Sequence, residues 1–249
     1  MVKIAICVKP SLLFYFLLLS FYLNHFLLEH FYHLLSKRII ANLKFEKMMI
    51  KDFGARVVSV WEGLRPMTKK MLVGALQANS GNAPTQKFSY DTHADWELSR
   101  LLGALDEQAK DAEIKKDALK LREIKQLAAT CAEVLQAKTE SAEVFIQLAT
   151  RIVERNNFNK LDSLADVLLK RFSASEIAEI IRQTESAHIR AIAFETLALI
   201  PTALIFPLLQ DPIYHEIAHI ALEQQAFEFD SPEAQNLLEQ LDFEEMNGE

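Results

Sequence analysis

From Leu161 onward the chain says the same thing three times. The stretches LDSLADVLLKRFSASEIAEIIRQTES, AHIRAIAFETLALIPTALIFPLLQ and DPIYHEIAHIALEQQAFEFDSPEAQNLLEQLD each open with apolar residues at helical spacing. They turn at Ser173, at Pro201, or at Asp230, Ser231 and Pro232, and each closes with a second, shorter helix. Ala165, Ala193 and Ala218 take equivalent small positions on the opening helices, 28 and 25 residues apart. A two-helix unit of this size cannot bury both of its faces alone, so neighbours must stack to complete a core. Small Ala side chains let such helices approach closely. Pro201 and Pro232 fall where a turn feeds a new helix, the position that tolerates proline, whereas Pro207 interrupts the short helix after Thr202. The segment SAEVFIQLATRIVERNNF (141–158) reads as the tail of a preceding unit.

The rest of the chain agrees with an all-α fold. Six Gly and seven Pro in 249 residues leave few turns, which favours long helices with short connections. Residues 48–76 form amphipathic helices, with Phe53, Val57, Val60, Leu64, Met67, Met71 and Leu72 at three- and four-residue steps and a bend near Pro66. Residues 77–95, with Gly81, Pro84 and many small polar residues, read as a linker. Residues 96–140 form long charged helices. In them Ile114, Leu121, Ala128 and Leu135 lie seven apart, with Ile124 and Cys131 between, a short heptad seam through which the chain can self-associate over 114–135. The alternating charges outside the seam read as a solvated face. Residues 141–249 hold the helical repeats and an acidic tail. The expected architecture is a C-terminal α-solenoid of about three helical hairpins, preceded by helical segments and an apolar N-terminal helix.

Residues 1–47 are a different kind of sequence. They carry nine of the 23 aromatic residues and a net charge of +4, against −11 for the remainder. SLLFYFLLLSFYLNHFLLEHFYHLL (11–35) is nearly all Leu, Phe and Tyr, but its apolar run from Leu12 to Leu23 falls short of the roughly 20 residues of a membrane span. Extension to Leu35 takes in Glu29, which is costly in lipid. Two readings stand side by side. One is a membrane anchor that holds the repeat domain in the cytoplasm, with Lys37, Arg38, Lys44 and Lys47 on the cytoplasmic side. The other is a mis-called start, with Met48 or Met49 opening a cytoplasmic protein. As a signal peptide the segment lacks a small-x-small cleavage site. His25, His30 and His33 share a helical face there without a visible supporting shell.

Composition excludes some functions. An acidic body repels phosphate backbones, so no nucleic-acid partner is expected. Cys7 and Cys131 build neither a disulfide framework nor a thiolate zinc site, and Cys131 reads as a small buried residue. No phosphate loop, dinucleotide fingerprint or nucleophile elbow is present. Asp91, His93 and Asp95 sit close together, a pattern better suited to starting a helix at Thr92 or Asp95 than to holding a metal.

One motif stands out. His215, Glu216 and His219 spell H-E-x-x-H inside HEIAH. On a helix the two histidines share a face, and the glutamate can polarise a zinc-bound water. A third ligand is required. Glu233 is the candidate preferred over Glu223, Glu228, Asp230 and Glu239. SPEAQNLL is similar to the downstream glutamate helix of small gluzincin-type peptidases. Against zinc stand the absence of strand-like sequence upstream, the 30 residues left after His219, and the repeat register, which pairs His215 with Arg190. His188 belongs to a helix start.

HIRAIAFETLALI resembles the second-half helix of HEAT-like repeats, and LEQQAFEFDSPEAQNLLEQL is similar to the closing repeat of bacterial HEAT-like proteins. The resemblance covers about 141–242. It implies a protein-binding scaffold and transfers no ligand-contacting residues. The leading expectation is a non-enzymatic interaction module with a protein partner and no cofactor. The alternative is a zinc-dependent metallopeptidase with His215, His219 and Glu233 as ligands and Glu216 as general base. A self-associating helical adaptor is the third reading.

Overall fold

A computed structural model of the protein describes residues 50–79 and 90–247. The apolar stretch 11–35, with His25, His30 and His33, lies outside the described residues, as does most of the expected linker. The chain divides at Gly54 into two units. Of the first, Ile50–Phe53 forms a 3-10 turn closed by Gly54, whose φ of 96° suits a residue without a Cβ.

The second unit is all-helical. Its helices are α1 (Ala55–Gly63), α2 (Pro66–Asn79), α3 (Thr92–Gln108), α4 (Ala112–Lys116), α5 (Ala118–Lys138) and α6 (Ala142–Val153). They continue as α7 (Phe158–Arg171), α8 (Ala174–Gln183), α9 (Ala187–Ala198), α10 (Thr202–Leu209), α11 (His215–Glu228) and α12 (Pro232–Asn247). No strand occurs among the described residues. Among them no single helix is long and apolar enough to cross a membrane.

Local chemistry sets most boundaries. Asp111 and Asp117 cap α4 and α5 by accepting the N–H groups of the first turn, Asn157 does so for α7, and Ser173 for α8. Pro66 opens α2 and accounts for the expected bend. α3 begins at Thr92, inside the stretch read as linker. Its cap is Asp91 rather than Thr92 or Asp95, because the Asp91 carboxylate accepts the Ala94 N–H at 2.9 Å.

Packing follows two rules. α6 pairs with α7, α8 with α9, and α10 with α11; each helix also packs on the next but one, α6 on α8, α7 on α9, α8 on α10 and α9 on α11. Upstream, α1 packs on α3, α3 on α5 and α6, and α2 on α5. α12 closes against α11. The sequence units, α7 with α8 and α9 with α10, are therefore out of phase with the packed hairpins by one helix. Repetition fixes a period but not which neighbours fold together.

Ala193 and Ala218 are fully buried and Ala165 half-buried on the α7, α9 and α11 series, where small side chains permit close approach. Leu98, Leu101, Leu102 and Leu105 of α3 form the upstream core with Ile124, Cys131 and Leu135 of α5. The heptad positions Ile124, Ala128, Cys131 and Leu135 thus point into this chain's own core, and Ile114 lies on a separate helix, α4. Burial pushes the Cys131 thiol well above its ordinary range. Further along, the Phe145 and Phe172 rings meet edge to face at 5.6 Å.

Candidate functional site

HEIAH opens α11, as the motif requires. His215 is the first helical residue, and its N–H donates to the Asp211 carbonyl at 2.8 Å. Its ring Nδ1 lies 2.6 Å from the Leu209 carbonyl oxygen. A carbonyl only accepts, so in this contact Nδ1 is the donor. His219 sits one turn on, its ring centroid 6.5 Å from that of His215 and its Nδ1 3.7 Å from Glu223. Glu216 is exposed.

A catalytic zinc needs three protein ligands. Among the described residues no three His, Cys, Asp or Glu side chains come together as a metal-sized group. Glu233, in the first turn of α12, is exposed and does not complete a trio with His215 and His219. Glu223, Glu228, Asp230 and Glu239 are likewise exposed and complete none. Asp91 is engaged by Arg65, and Asp95 by Tyr90, so the 91–95 cluster is committed to structure while His93 stands exposed. His188 lies in the first turn of α9, with its ring 5.7 Å from that of Phe158.

A concave feature lies elsewhere. A groove of about 560 Å³ runs across the N-terminal ends of α3, α6 and α8, lined by Trp96, Arg100, Glu140, Glu143, Arg171 and Glu176 among others. Trp96 is 58% exposed, which is unusual for so large an apolar ring. The Arg100 guanidinium, one helical turn away, stacks over it at 4.5 Å from the ring centroid. The two residues flanking Trp96 are buried instead, Asp95 at 7% and Glu97 at 5% exposure.

Each buried carboxylate has a reason. Glu97 accepts the Arg65 N–H at 2.8 Å, the Arg65 Nε at 3.1 Å and the Thr68 hydroxyl, and so ties α2 to α3. Burial works to raise its carboxyl, but these bonds together hold it below its ordinary value. Asp95 accepts hydrogen bonds from Tyr90 and Thr139, yet burial dominates and pushes its carboxyl up.

The groove walls are locked between helices far apart in sequence. Ser141 heads α6 without making a side-chain cap; Glu176 of α8 supplies it, accepting the Ala142 N–H at 2.9 Å. Ser99 and Gln147 exchange hydrogen bonds between α3 and α6, and Arg171 donates to the Gln136 carbonyl of α5. The lining carries Asp95, Glu140, Glu143 and Glu176 against Arg100 and Arg171, so it is net acidic.

A second surface lies at the C-terminal end. Of the thirteen exposed large apolar side chains among the described residues, eight fall between Leu199 and Phe243, including Leu204, Ile213, Phe227 and Phe243. These residues lie on α10 to α12 and the connections beside them.

Comparison of the chain with models of known families, with curated proteins and with solved structures gives no match.

The sequence reading passed over Trp96. A signal was present: a tryptophan between two acids with an arginine four residues on is a helix face of mixed character. That signal cannot say which of the three neighbours is turned outward.

Proposed function

We propose that the second unit is a non-enzymatic protein-interaction module, an α-solenoid of HEAT-like hairpins whose groove takes an extended segment of a partner protein. The solenoid reading is supported by the packing of the helices from α6 to α11, each on its hairpin partner and, within that run, on the next helix but one. Counted that way the packed pairs are α3 with α5, α6 with α7, α8 with α9 and α10 with α11, the last three of them within 141–249.

The observation that carries the function is Trp96, held half in water under Arg100 in a groove that crosses three successive hairpins. Tryptophan and arginine dominate the energetics of protein interfaces. An exposed indole forgoes burial worth about 25 cal/mol per Å², and a bound side chain would recover it. The acidic lining selects a segment that carries Lys or Arg beside an apolar or aromatic anchor.

The test is selection from a random peptide display library on the full chain, with counter-selection against Trp96→Ala. The expected winners are basic and carry an apolar anchor. They change the emission of Trp96 on binding and lose at least tenfold in affinity against Glu143→Lys. Peptides indifferent to Trp96→Ala, or no enrichment from a folded protein, would sink this reading.

A further inference from the structure

A second, smaller cavity lies between α5, α6 and the start of α7, away from the groove. Its volume is about 90 Å³, room for about three waters or one tetrahedral oxyanion. Leu148 and Ile152 form its apolar walls, and its polar lining consists of Arg151, Arg155, Asn157, Lys160 and Gln136, with no carboxylate among them.

The arginines are short of partners. Asp106 serves both, at 2.7 Å from Arg151 Nε and 3.7 Å from Arg155 Nη2. The Arg151 side chain is 11% exposed, and its Nη2 is buried without any hydrogen-bond acceptor. A buried cationic donor left unpaired is strongly unfavourable. Arg155 stands four residues on, in the turn that follows α6, and adds a second cation there. Burial and the neighbouring Arg151 both lower the Arg155 pKa. Glu154 pairs outward with Lys110 at 3.8 Å. Lys160 adds a third cation and Asn157 a side-chain amide, at the turn where Asn156 adopts a φ of 52°. The cavity is thus lined by three cations and two side-chain amides, without a carboxylate, inside an acidic protein.

We propose that this cavity binds a small phosphate-class oxyanion, with the Arg151 guanidinium at its buried side and Arg155, Lys160 and Asn157 at its exposed rim. A guanidinium with a free donor matches the oxygens of such an anion. The ligand is inorganic phosphate or the terminal phosphate of a small metabolite. The proposal is independent of the peptide groove.

The test is calorimetric titration of the full-length protein with inorganic phosphate and, separately, with glycerol 2-phosphate, at constant ionic strength set with chloride. Thermal melts accompany both. One saturable site per chain is expected, with a saturable rise in melting temperature. Arg155→Gln/Lys160→Gln, which leaves the buried Arg151–Asp106 pair intact, should fold and lose at least tenfold in affinity. Tighter binding of glycerol 2-phosphate would support the site and name a phosphorylated metabolite as its source; tighter binding of phosphate would support it with the free ion. Exclusion of phosphate from the surface stabilises any protein without saturating. A rise of that kind, equal in parent and double variant, overturns the site, as does saturable binding that the double variant leaves unchanged.

Discussion

Thr202 donates its hydroxyl to the side-chain carbonyl of Gln225 at 2.8 Å, and both residues are buried. The Gln225 amide then donates to the backbone carbonyls of Ala198, at 3.0 Å, and Ile200. One glutamine of α11 therefore satisfies the turn that joins α9 to α10. Replacement by Leu keeps the volume and strands three buried polar groups, at a cost of about 3 kcal/mol. Thermal denaturation should show Gln225→Leu melting roughly 10 °C lower. Thr202→Val should lose less, and the pair should couple in a double-mutant cycle. Independent, additive losses would show that the network does not act as a unit.

Glu97 does for α2 and α3 what Gln225 does downstream. Its carboxylate receives both the Arg65 backbone and the Thr68 hydroxyl, and Arg65 reaches on to Asp91 at 2.7 and 3.0 Å. Glu97→Ala removes the acceptor from the buried Thr68 and should lower the melting temperature markedly. Glu97→Gln retains an acceptor oxygen and should lower it less. Hydrogen exchange at the start of α2 should report the loosening first; equal exchange in all three proteins would contradict the link.

Acid should destabilise the fold through specific carboxylates. Hydrogen bonds from Arg182, Gln183 and Tyr214 hold the Glu179 carboxyl at about 2, below its ordinary 4.5. A depressed acid contributes stability above its unfolded value and loses it as pH falls through the folded one. Glu179 therefore acts between about 4.5 and 2, and Asp91, Glu97 and Asp117 shift in the same direction. Asp95 works the other way. Burial raises its carboxyl, so its contribution declines as pH rises above 3.8. Urea denaturation from pH 2 to 6 should show a shallower acid limb in Glu179→Gln than in the parent. An unchanged slope would remove Glu179 from the account.

The histidines of α11 should differ in stability rather than in metal content. His215→Ala loses the bond to the Leu209 carbonyl and should cost about 1 kcal/mol. His219→Ala and Glu216→Gln should stay within about 0.5 kcal/mol of the parent. Zinc titration of the full chain should give no stoichiometric uptake that depends on His215 and His219. Near-stoichiometric zinc, lost in His215→Ala/His219→Ala, would reinstate the metallopeptidase reading.

Much of this protein is legible in its linear order. Apolar spacing and the scarcity of Gly and Pro determine an all-α fold. Ser173 marks a turn into a helix because a cap is a contact over two or three residues; Asp117 and Asn157 cap by the same local contact, seen in the structure. Pro66 and Pro201 mark turns for the same local reason.

Tertiary structure decided the rest. It shifted the hairpins by one helix relative to the sequence units, turned Trp96 outward, and buried Asp95 and Glu97 beside it. It capped α6 with Glu176, 34 residues away, and joined Arg65 to Asp91 and Glu97. It also gathered Arg151, Arg155 and Lys160 around one cavity and kept His215, His219 and Glu233 from forming one metal-sized group. The physical reason is common to all of these. Most helix starts here are set by contacts along the chain, whereas burial and partnership, the cap of α6 included, depend on what packs alongside, and that neighbour comes from a distant stretch of sequence.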